Sequence, residues 1–457
     1  MEITVGNLKS EIKTDNPKLL KALRDLYTFK IPGAEYSAAY KRRQWDGKKS
    51  FISVRGEFRT GLLDSILADL KRIDCEPEIT YMEDFEESPA LETVEGFTYY
   101  DYQESLISLA LEKKRCVIKS PTGSGKTLIM AGLIKSLAGR KMTILFHAKQ
   151  LLNQTYEFLV EDCGFDNVGL CFGEGYIYGD IMLCTVQSIE KILDTHLHES
   201  EVLMVDECHE FCSGKTRLPA IESFPAATYR LGFTATVPSE PINKCSLEGA
   251  LGSVIQDATT QDLIGNGKLT KPIIQMIDRP YTASGLDEDL GYIGVYDEYI
   301  TNNESRNNNI KTIVESIRQN NEKSRILILT QSLDHGRILT ELIGGEIQYL
   351  EGDDSIRERY SAISRFREYE GNSVLIGTKI FQTGVNIKEI THFIIARGLK
   401  KDTATIQALG RALRTHESKE VVYVYDFLDK EKYLKDHSNE RKKHYKKEGH
   451  TVEVIKL

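Results

Sequence analysis

The segment Ser120–Thr127, which reads SPTGSGKT, constrains this chain more than any other part of its sequence. It follows a short apolar run at Cys116–Ile118 and precedes a helical pattern at residues 126–137. A glycine-rich loop between a buried strand and a helix directs backbone N–H groups and the positive helix end towards phosphate oxygens. The segment therefore predicts a phosphate-binding loop at the edge of an α/β sheet.

The side chains of this loop predict that the ligand is a nucleotide with bound Mg²⁺. Lys126 is placed to reach the β- and γ-phosphates, and the hydroxyl of Thr127 is placed to bind Mg²⁺. The motif begins with Ser120 where the usual pattern has glycine, but its GKT core is intact. We expect the phosphates to lie against the loop residues before the lysine, which are Thr122, Gly123, Ser124 and Gly125.

A matching acidic site follows the apolar run Val202–Val205. Ligands of open α/β sheets bind at the carboxyl ends of the strands, where Asp206 and Glu207 are expected. Asp206 is predicted to hold Mg²⁺, and Glu207 to orient or deprotonate the attacking water. The neighbouring sequence Cys-His-x-x-Cys at 208–212 has a spacing that does not match the usual zinc sites.

The arrangement of apolar runs predicts two α/β lobes. Uninterrupted runs alternate with helical patterns, as in parallel sheets whose strands are buried on both faces. One set of runs lies between residues 116 and 233, and a second set lies between 326 and 425. We expect a small α+β domain at 1–90, a first lobe at 91–275, a second lobe at 276–430 and a basic carboxy-terminal helix or tail at 431–457.

Composition excludes several classes of protein. A formal net charge of −9 excludes a globally basic nucleic-acid coat, although local basic patches remain possible. Eight cysteines without a C-x-x-C pair argue against a disulfide framework or a zinc ribbon. The beginning of the chain lacks a signal segment, and no apolar run approaches the roughly 18 residues of a membrane span. We therefore expect a cytoplasmic protein.

Several motifs in a fixed order resemble those of superfamily 2 helicases and translocases. Asp206–His209 (DECH) resembles their DExH box, Thr234–Thr236 their motif III and Gln407–Arg414 their motif VI. Thr378–Asn386 resembles motif V, although Asn386 stands where many relatives have aspartate. The segment Gln44–Lys48 (QWDGK) is similar to an element of the phage UvsW-type recombination helicases.

This resemblance implies two tandem RecA-like lobes that hold one ATP between them. Arg411 and Arg414 are three residues apart, which would place them on one face of a helix and allow both to meet the γ-phosphate when the lobes close. The resemblance also implies that Gln103 reads the adenine edge and that Gly384 and Gln407 contact the nucleotide. Four residues are expected to contact nucleic-acid phosphates, although each could be an ordinary loop residue: Thr185, Gln187, Ser188 and Thr378.

The amino-terminal section carries a local positive charge. Residues 1–80 contain 15 Lys and Arg against 12 Asp and Glu. Asp46-Gly47 predicts a hairpin that joins residues 40–45 to residues 48–54. Trp45 could stack on an unpaired base or serve as a packing anchor. Basic residues near the predicted tip could grip a duplex or junction, or could form a solvated face: Lys41, Arg42, Arg43 and Lys48.

These features favour an ATP-dependent DNA helicase that unwinds or branch-migrates forked and junction DNA. We expect sequence-independent, salt-sensitive binding of DNA, no membrane partner and action as a monomer. An RNA helicase and a double-strand translocase subunit of a larger complex remain alternatives. A nucleotide-gated clamp without turnover is disfavoured because the lysine, the glutamate and both arginines expected for hydrolysis are present.

Overall fold

The structure is a computed structural model that describes residues 1–82, 87–192, 196–212, 216–278, 291–351, 354–378, 387–400, 403–417 and 419–456. It divides into two compact units. The first unit contains Met1–Pro121 and Gly125–Asp257, and the second contains Thr122–Ser124 and Ala258–Leu457.

The first unit begins with a small mixed sheet and continues into a large parallel one. Its strands are β1 (Glu2–Val5), β2 (Lys9–Lys13), β3 (Thr28–Lys30), β4 (Lys48–Ser50), β5 (Glu57–Arg59), β6 (Glu78–Tyr81), β7 (Arg115–Lys119), β8 (Met142–Phe146), β9 (Val168–Phe172), β10 (Gly175–Ile177), β11 (Ile181–Thr185), β12 (Val202–Val205), β13 (Tyr229–Thr234) and β14 (Ser253–Ile255). Its helices are α1 (Pro17–Leu26), α2 (Ala38–Lys41), α3 (Leu63–Lys71), α4 (Asp101–Lys113), α5 (Lys126–Ser136), α6 (Lys149–Glu157), α7 (Arg217–Glu222) and α8 (Pro241–Leu251).

The large sheet of this unit has eight strands in the order β10-β9-β11-β8-β12-β13-β7-β14. All neighbours are parallel except β10, which returns antiparallel to β9. Two apolar clusters lie against the sheet, one around Ile144 and one around Leu145, whose side chains point to opposite faces because they are adjacent in β8. Burial on both faces explains the uninterrupted apolar runs.

The second unit is built on a seven-stranded parallel sheet in the order β17-β18-β16-β19-β20-β15-β21. The strands are β15 (Lys271–Asp278), β16 (Arg325–Leu329), β17 (Ile347–Leu350), β18 (Ser373–Gly377), β19 (His392–Ile395), β20 (Val421–Leu428) and β21 (Val452–Lys456). The helices are α9 (Thr260–Gly265), α10 (Tyr292–Tyr296), α11 (Glu304–Asn320), α12 (Leu333–Ile343), α13 (Ile356–Glu368), α14 (Thr403–Ala412) and α15 (Leu434–Lys447). The predicted fold class, two parallel-sheet α/β lobes after a small α+β domain, is confirmed.

The small amino-terminal domain packs tightly on the large sheet of the first unit. The helical turn Thr60–Leu62 lies against α8 so closely that a Cβ at Gly61 would overlap the carbonyl oxygens of Glu248 and Gly249. Asp64 Oδ2 accepts hydrogen bonds from Lys113 Nζ (2.9 Å) and Ser253 Oγ (2.7 Å). These contacts explain why the small domain belongs to the same compact unit as the first lobe.

The division of the chain into two units differs from the expected domain limits at two places. The units divide between Asp257 and Ala258, so β15 crosses the limit expected at 275/276. Residues 431–457 contribute α15 and also β21, which pairs in parallel with β15 as an edge strand of the second sheet. The carboxy-terminal section is therefore part of the second unit.

The predicted hairpin at Asp46-Gly47 is wrong. Ser37 caps the short helix α2, because its side chain accepts a hydrogen bond from Tyr40 N, so the residues before the turn are not a strand. The Asp46 side chain accepts a hydrogen bond from Lys48 N (3.0 Å), which makes a local turn. Strand β4 pairs instead with β3, from a distant part of the sequence.

Candidate nucleotide-binding site

The predicted phosphate loop and acidic site lie at one edge of the large sheet in the first unit. Strands β8, β12, β13 and β7 are consecutive and parallel, so their carboxyl ends meet at that edge. Ser120 N donates to Thr234 O (3.0 Å), and Asp206 N donates to Leu145 O (3.0 Å). These bonds continue the ladder past the strand ends and bring the two motifs together.

The loop adopts the backbone conformation that its glycines allow. Gly123 and Gly125 have φ angles of 87° and 81°, in the left-handed region that favours glycine. Gly125 precedes Lys126, the first residue of α5. Lys126 Nζ donates to the carbonyl oxygens of Ser120 (3.3 Å) and Pro121 (3.4 Å). The ammonium group therefore lies over the loop, where a bound phosphate would offer it stronger, charged acceptors.

Gln103 lies beside this loop. Its side chain is buried, and Oε1 accepts a hydrogen bond from Tyr100 N (3.0 Å) at the start of α4. A Cβ on Gly125 would come within 2.6 Å of Gln103 Nε2, so the amide packs directly against the loop glycine. The position agrees with a residue that borders the nucleotide, while its contact with adenine stays a prediction.

The two carboxylates follow β12 in a strained and charged setting. Glu207 has φ 44°, a left-handed conformation that is unfavourable for a residue with a side chain and that often occurs at functional sites. Burial and the charge of Glu207 raise the pKa of Asp206, and the charge of Lys126 opposes this rise. Burial also raises the pKa of Glu207, but the contact with His209 and the charge of Lys126 outweigh burial, so the net shift is downward. Glu207 is therefore held ionised.

His209 connects Glu207 to the end of β13. Its Nδ1 lies 3.4 Å from Glu207 Oε2 and 2.9 Å from Thr234 Oγ1. Thr234 Oγ1 donates to Thr236 O (2.8 Å) and accepts from Thr236 N (3.1 Å). Because the hydroxyl proton is used by Thr236, the geometry favours the His209 tautomer that donates from Nδ1.

The residues at this edge fit a magnesium nucleotide. Glu207 Oε2 is buried and makes no hydrogen bond within the described part of the chain. Asp206 carries a carboxylate whose pKa burial raises, so a nearby cation would stabilise its ionised form. Carboxylate and hydroxyl oxygens are the hard ligands that Mg²⁺ prefers. Among the described residues, no cluster of three or more His, Cys, Asp and Glu side chains is arranged to hold a metal by itself.

The arginines of the second unit lie at the end of α14. Arg411 is in its last turn, but the helix ends at Ala412, so the expectation that both arginines lie on one helix is wrong for Arg414. Arg414 N still donates to Arg411 O (3.2 Å), which keeps the two residues in one tight turn, and burial lowers the pKa of Arg414. The backbone of Gln407 is in α14, whereas Gly384 and Asn386 lie outside the described residues.

The predicted nucleic-acid contacts have different accessibilities. Thr185 and Ser188 are buried, and Thr185 Oγ1 donates to Ser188 Oγ (3.2 Å). Gln187 is exposed, and its Nε2 donates to His147 O (3.4 Å). Thr378 is buried just after β18. Three of these four side chains are therefore buried in this structure, and the contact of all four residues with phosphates stays a prediction.

The basic residues of the small domain are exposed, as contact with nucleic acid would require: Lys41, Arg42, Arg43 and Lys48. Lys49 is different, because its Nζ donates to Ser246 Oγ (3.3 Å) on α8 and burial lowers its pKa. Trp45 is partly buried, and its Nε1 donates to Lys48 O (2.9 Å), which closes the turn.

His147 is a residue whose surroundings sequence reasoning missed. It follows β8, and burial lowers its pKa although Glu210 and Glu207 favour its protonated form. Its Nδ1 is buried and makes no hydrogen bond within the residues that the structure describes. The signal in the sequence was the histidine itself, which directly follows the apolar run at Thr143–Phe146.

The fold and the site define a nucleotide-hydrolysing α/β protein with two parallel-sheet lobes. A family model for the type III restriction enzyme res subunit matches residues 96–239, and one for the helicase conserved C-terminal domain matches residues 308–416. The chain belongs to superfamily 2 of the helicases and has the ATP-dependent helicase domains of that group. The resemblance seen in the motifs is thereby confirmed.

Individual relatives cover most of the chain at low identity. The ATP-dependent DNA helicase uvsW of Enterobacteria phage T4 is 22% identical, over 92% of this chain and 89% of that protein. The DNA 3'-5' translocase XPB2 of Sulfurisphaera tokodaii is 24% identical, over 69% of this chain and 78% of that protein. The structure of S. cerevisiae Dbp5 bound to RNA and ADP BeF3 matches with a TM-score of 0.54 at 15% identity, over 77% of this chain and 89% of that one, which supports the fold alone.

Across the described ranges, no helix combines the length and the apolar character needed to span a membrane.

Proposed function

We propose that this chain is an ATP-dependent DNA helicase or translocase that unwinds or branch-migrates forked and junction DNA. The observation that carries the proposal is the meeting of Lys126, Asp206 and Glu207 at one edge of a parallel sheet, in a chain of the helicase superfamily. The names of the T4 helicase and of the archaeal translocase support DNA as the substrate.

In this proposal, hydrolysis uses the lysine of the phosphate loop and the two carboxylates that follow β12. Lys126 binds the β- and γ-phosphate oxygens once it leaves its loop carbonyls. Glu207, held ionised, orients the attacking water and accepts its proton. Asp206 and Thr127 are the residues that would hold Mg²⁺, which when bound neutralises charge on the phosphates.

The second unit supplies the remaining charge. Arg411 and Arg414 act on the γ-phosphate when the two lobes close, and such an arginine finger contributes roughly 10³–10⁵ in rate. Because turnover then requires closure, ATP hydrolysis is coupled to movement along the nucleic acid. Gln103, Gln407 and Gly384 complete the nucleotide contacts.

Nucleic acid is held through its phosphates and without sequence preference. The loops around Gln187 and Thr378 contact the backbone, and the exposed basic residues of the small domain grip duplex or junction arms. We further propose that the protein acts as a monomer in the cytoplasm, or in the host cytoplasm if a phage encodes it, during DNA recombination, repair or replication.

Two assays test this proposal: ATP hydrolysis and strand separation, each measured on single-stranded, duplex, forked and four-way DNA. RNA of the same sequence is measured for comparison. Lys126→Ala is expected to abolish DNA-stimulated turnover. Lys135→Ala, an exposed lysine in the last turn of the same helix, is the matched control and is expected to keep it. Turnover retained by Lys126→Ala would contradict the assigned site, and stronger stimulation by RNA would favour an RNA helicase.

A double-strand translocase is the second candidate. The match to the restriction res subunit and the name of the archaeal translocase favour it. It predicts displacement of a third strand from a triplex while a forked substrate stays intact, whereas the helicase predicts opening of the fork.

A further inference from the structure

A groove beside α15 in the second unit is not used by the nucleotide site. It has a volume of about 480 Å³. Four lysines and two acids line it: Lys400, Lys442, Lys443, Lys446, Asp436 and Glu440. The basic side chains therefore outnumber the acidic ones in a chain whose net charge is −9.

The helix that forms one wall is fixed by its opposite face. Leu434, Ser438, Arg441 and Tyr445 are buried and recur every three or four residues, so they share one side of α15. Tyr445 OH donates to Asp426 Oδ2 (2.9 Å) on β20. With this side anchored, Lys442, Lys443 and Lys446 are presented away from the core.

Arg441 joins the two walls. Its guanidinium donates to both oxygens of Asp426, with distances of 2.9 Å from Nε and 2.8 Å from Nη2. Its Nη1 donates to Leu399 O (2.6 Å), the residue before Lys400. His437 Nδ1 also lies 3.2 Å from Gly398 O, so the segment that carries Lys400 is tied to α15 at two points. The groove is therefore preformed.

The charge distribution suits a chain of phosphates. Glu440 forms an ion pair with Lys443 (3.5 Å), which leaves the other three lysines of the groove against one acid, Asp436. Lys442 and Lys446 are four residues apart, so the helix rise places them about 6 Å apart along the axis. A row of cations on an acidic protein attracts a polyanion and orients it.

The groove also shares a sheet edge with the predicted nucleic-acid contact in this unit. Thr378 follows β18, and Lys400 lies a few residues after β19. Both strands are parallel to β16, which lies between them, so their carboxyl ends face the same way. A nucleic-acid strand bound near Thr378 would therefore lie at the same edge of the sheet as this groove.

We propose that the groove between Lys400 and α15 binds the phosphodiester backbone of the nucleic acid on which the motor acts. The inference rests on the proposed function, because it assigns a second contact to the same substrate. Single-stranded and duplex forms share this chemistry, and the experiment separates them.

The test measures the affinity for labelled duplex and labelled single-stranded DNA of equal length between about 50 and 200 mM salt. Lys442→Ala/Lys446→Ala is compared with Lys435→Ala/Lys447→Ala, which removes two exposed lysines from the same helix outside the groove. Loss of two phosphate contacts is expected to reduce the slope of log affinity against log salt by about 1.8 for duplex or about 1.4 for a single strand. The control is expected to keep the wild-type slope.

Lys400→Ala lies outside the helix and therefore tests the groove without changing helix propensity. It is expected to reduce the slope by about 0.9 on duplex or about 0.7 on a single strand. Equal slopes for the groove variants and the control would overturn the inference while leaving the motor assignment intact. Failure of the wild-type protein to bind either DNA would instead overturn the proposed function.

Discussion

His209 Nδ1 and Thr234 Oγ1 lie 2.9 Å apart, and this contact joins the acidic motif after β12 to the end of β13. His209 also lies 3.4 Å from Glu207, so one imidazole touches both the candidate catalytic carboxylate and the neighbouring strand. We therefore expect a change at Thr234 to alter the orientation of Glu207 through this ring.

Thr234→Val, which keeps the shape of the side chain but removes the hydroxyl, is expected to lower DNA-stimulated ATP turnover about fivefold. The reason is the loss of a hydrogen bond that contributes about 1 kcal/mol to the orientation of His209. Thr234→Ser keeps the hydroxyl and is expected to retain most of the activity. Equal rates for the two variants would show that the contact does not orient the catalytic group.

Gly125→Ala is expected to abolish ATP binding, measured by titration with a fluorescent nucleotide. The new methyl group would meet the buried amide of Gln103 in addition to straining a backbone at φ 81°. Gly139→Ala is the matched control, because φ there is 86° but nothing lies within 4 Å of the added carbon. The control is expected to lose about 1–2 kcal/mol of folding stability from backbone strain while it keeps nucleotide affinity. Equal nucleotide affinity in both variants would refute the role of the close approach.

Arg441→Met is expected to lower the free energy of unfolding of the second unit by about 3–5 kcal/mol, measured by urea denaturation. It removes the cationic partner of Asp426 and leaves that buried carboxylate with neutral hydrogen-bond donors only, such as Tyr445 OH. Lys311→Ala, which breaks an exposed pair with Glu315 (3.8 Å), is expected to change the stability by less than about 1 kcal/mol. Similar losses in the two variants would contradict the structural role of the buried pair.

Stability is expected to fall on acidification because of His335. Burial lowers the pKa of this histidine from 6.5 to about 3, and the charge of Arg306 adds to the effect. Below pH 6.5 the unfolded chain takes up a proton that the folded chain refuses, so stability is lost as the pH falls from 6.5 towards 3, by up to about 1.4 kcal/mol per pH unit.

His335→Asn is expected to reduce this slope, measured by urea denaturation at several pH values. His198→Asn makes the same substitution at an exposed position and serves as the control. An unchanged slope in His335→Asn would show that another group dominates the acid response.

The sequence was sufficient for the parallel sheets and for the phosphate loop. Runs such as Val202–Val205 are buried on both faces, so their composition alone indicates central strands. The loop at Ser120–Thr127 has its conformation dictated by local glycines. Both signals are local, which is why single-sequence reasoning finds them.

Contacts between distant segments were not predictable in the same way. The Asp46-Gly47 pair is a genuine turn, but the strand that pairs with Lys48–Ser50 lies twenty residues earlier, at Thr28–Lys30. The burial of Thr185 and Ser188 depends on a hydroxyl bond within a folded loop, and the packing of Gln103 on Gly125 depends on two helices. The spacing of apolar and polar residues along the sequence does not predict such contacts.

The seating of Gly61 against α8 has a mechanical consequence. Helix α8 begins soon after Thr236. The small domain packs against this helix so closely that no methyl group would fit at Gly61. Lys113 and Ser253 donate hydrogen bonds to Asp64 on the same side. These contacts oppose rotation of the small domain relative to the first lobe. A DNA arm bound by the exposed lysines and arginines near residue 42 would then move as a rigid body together with the lobe that carries Lys126.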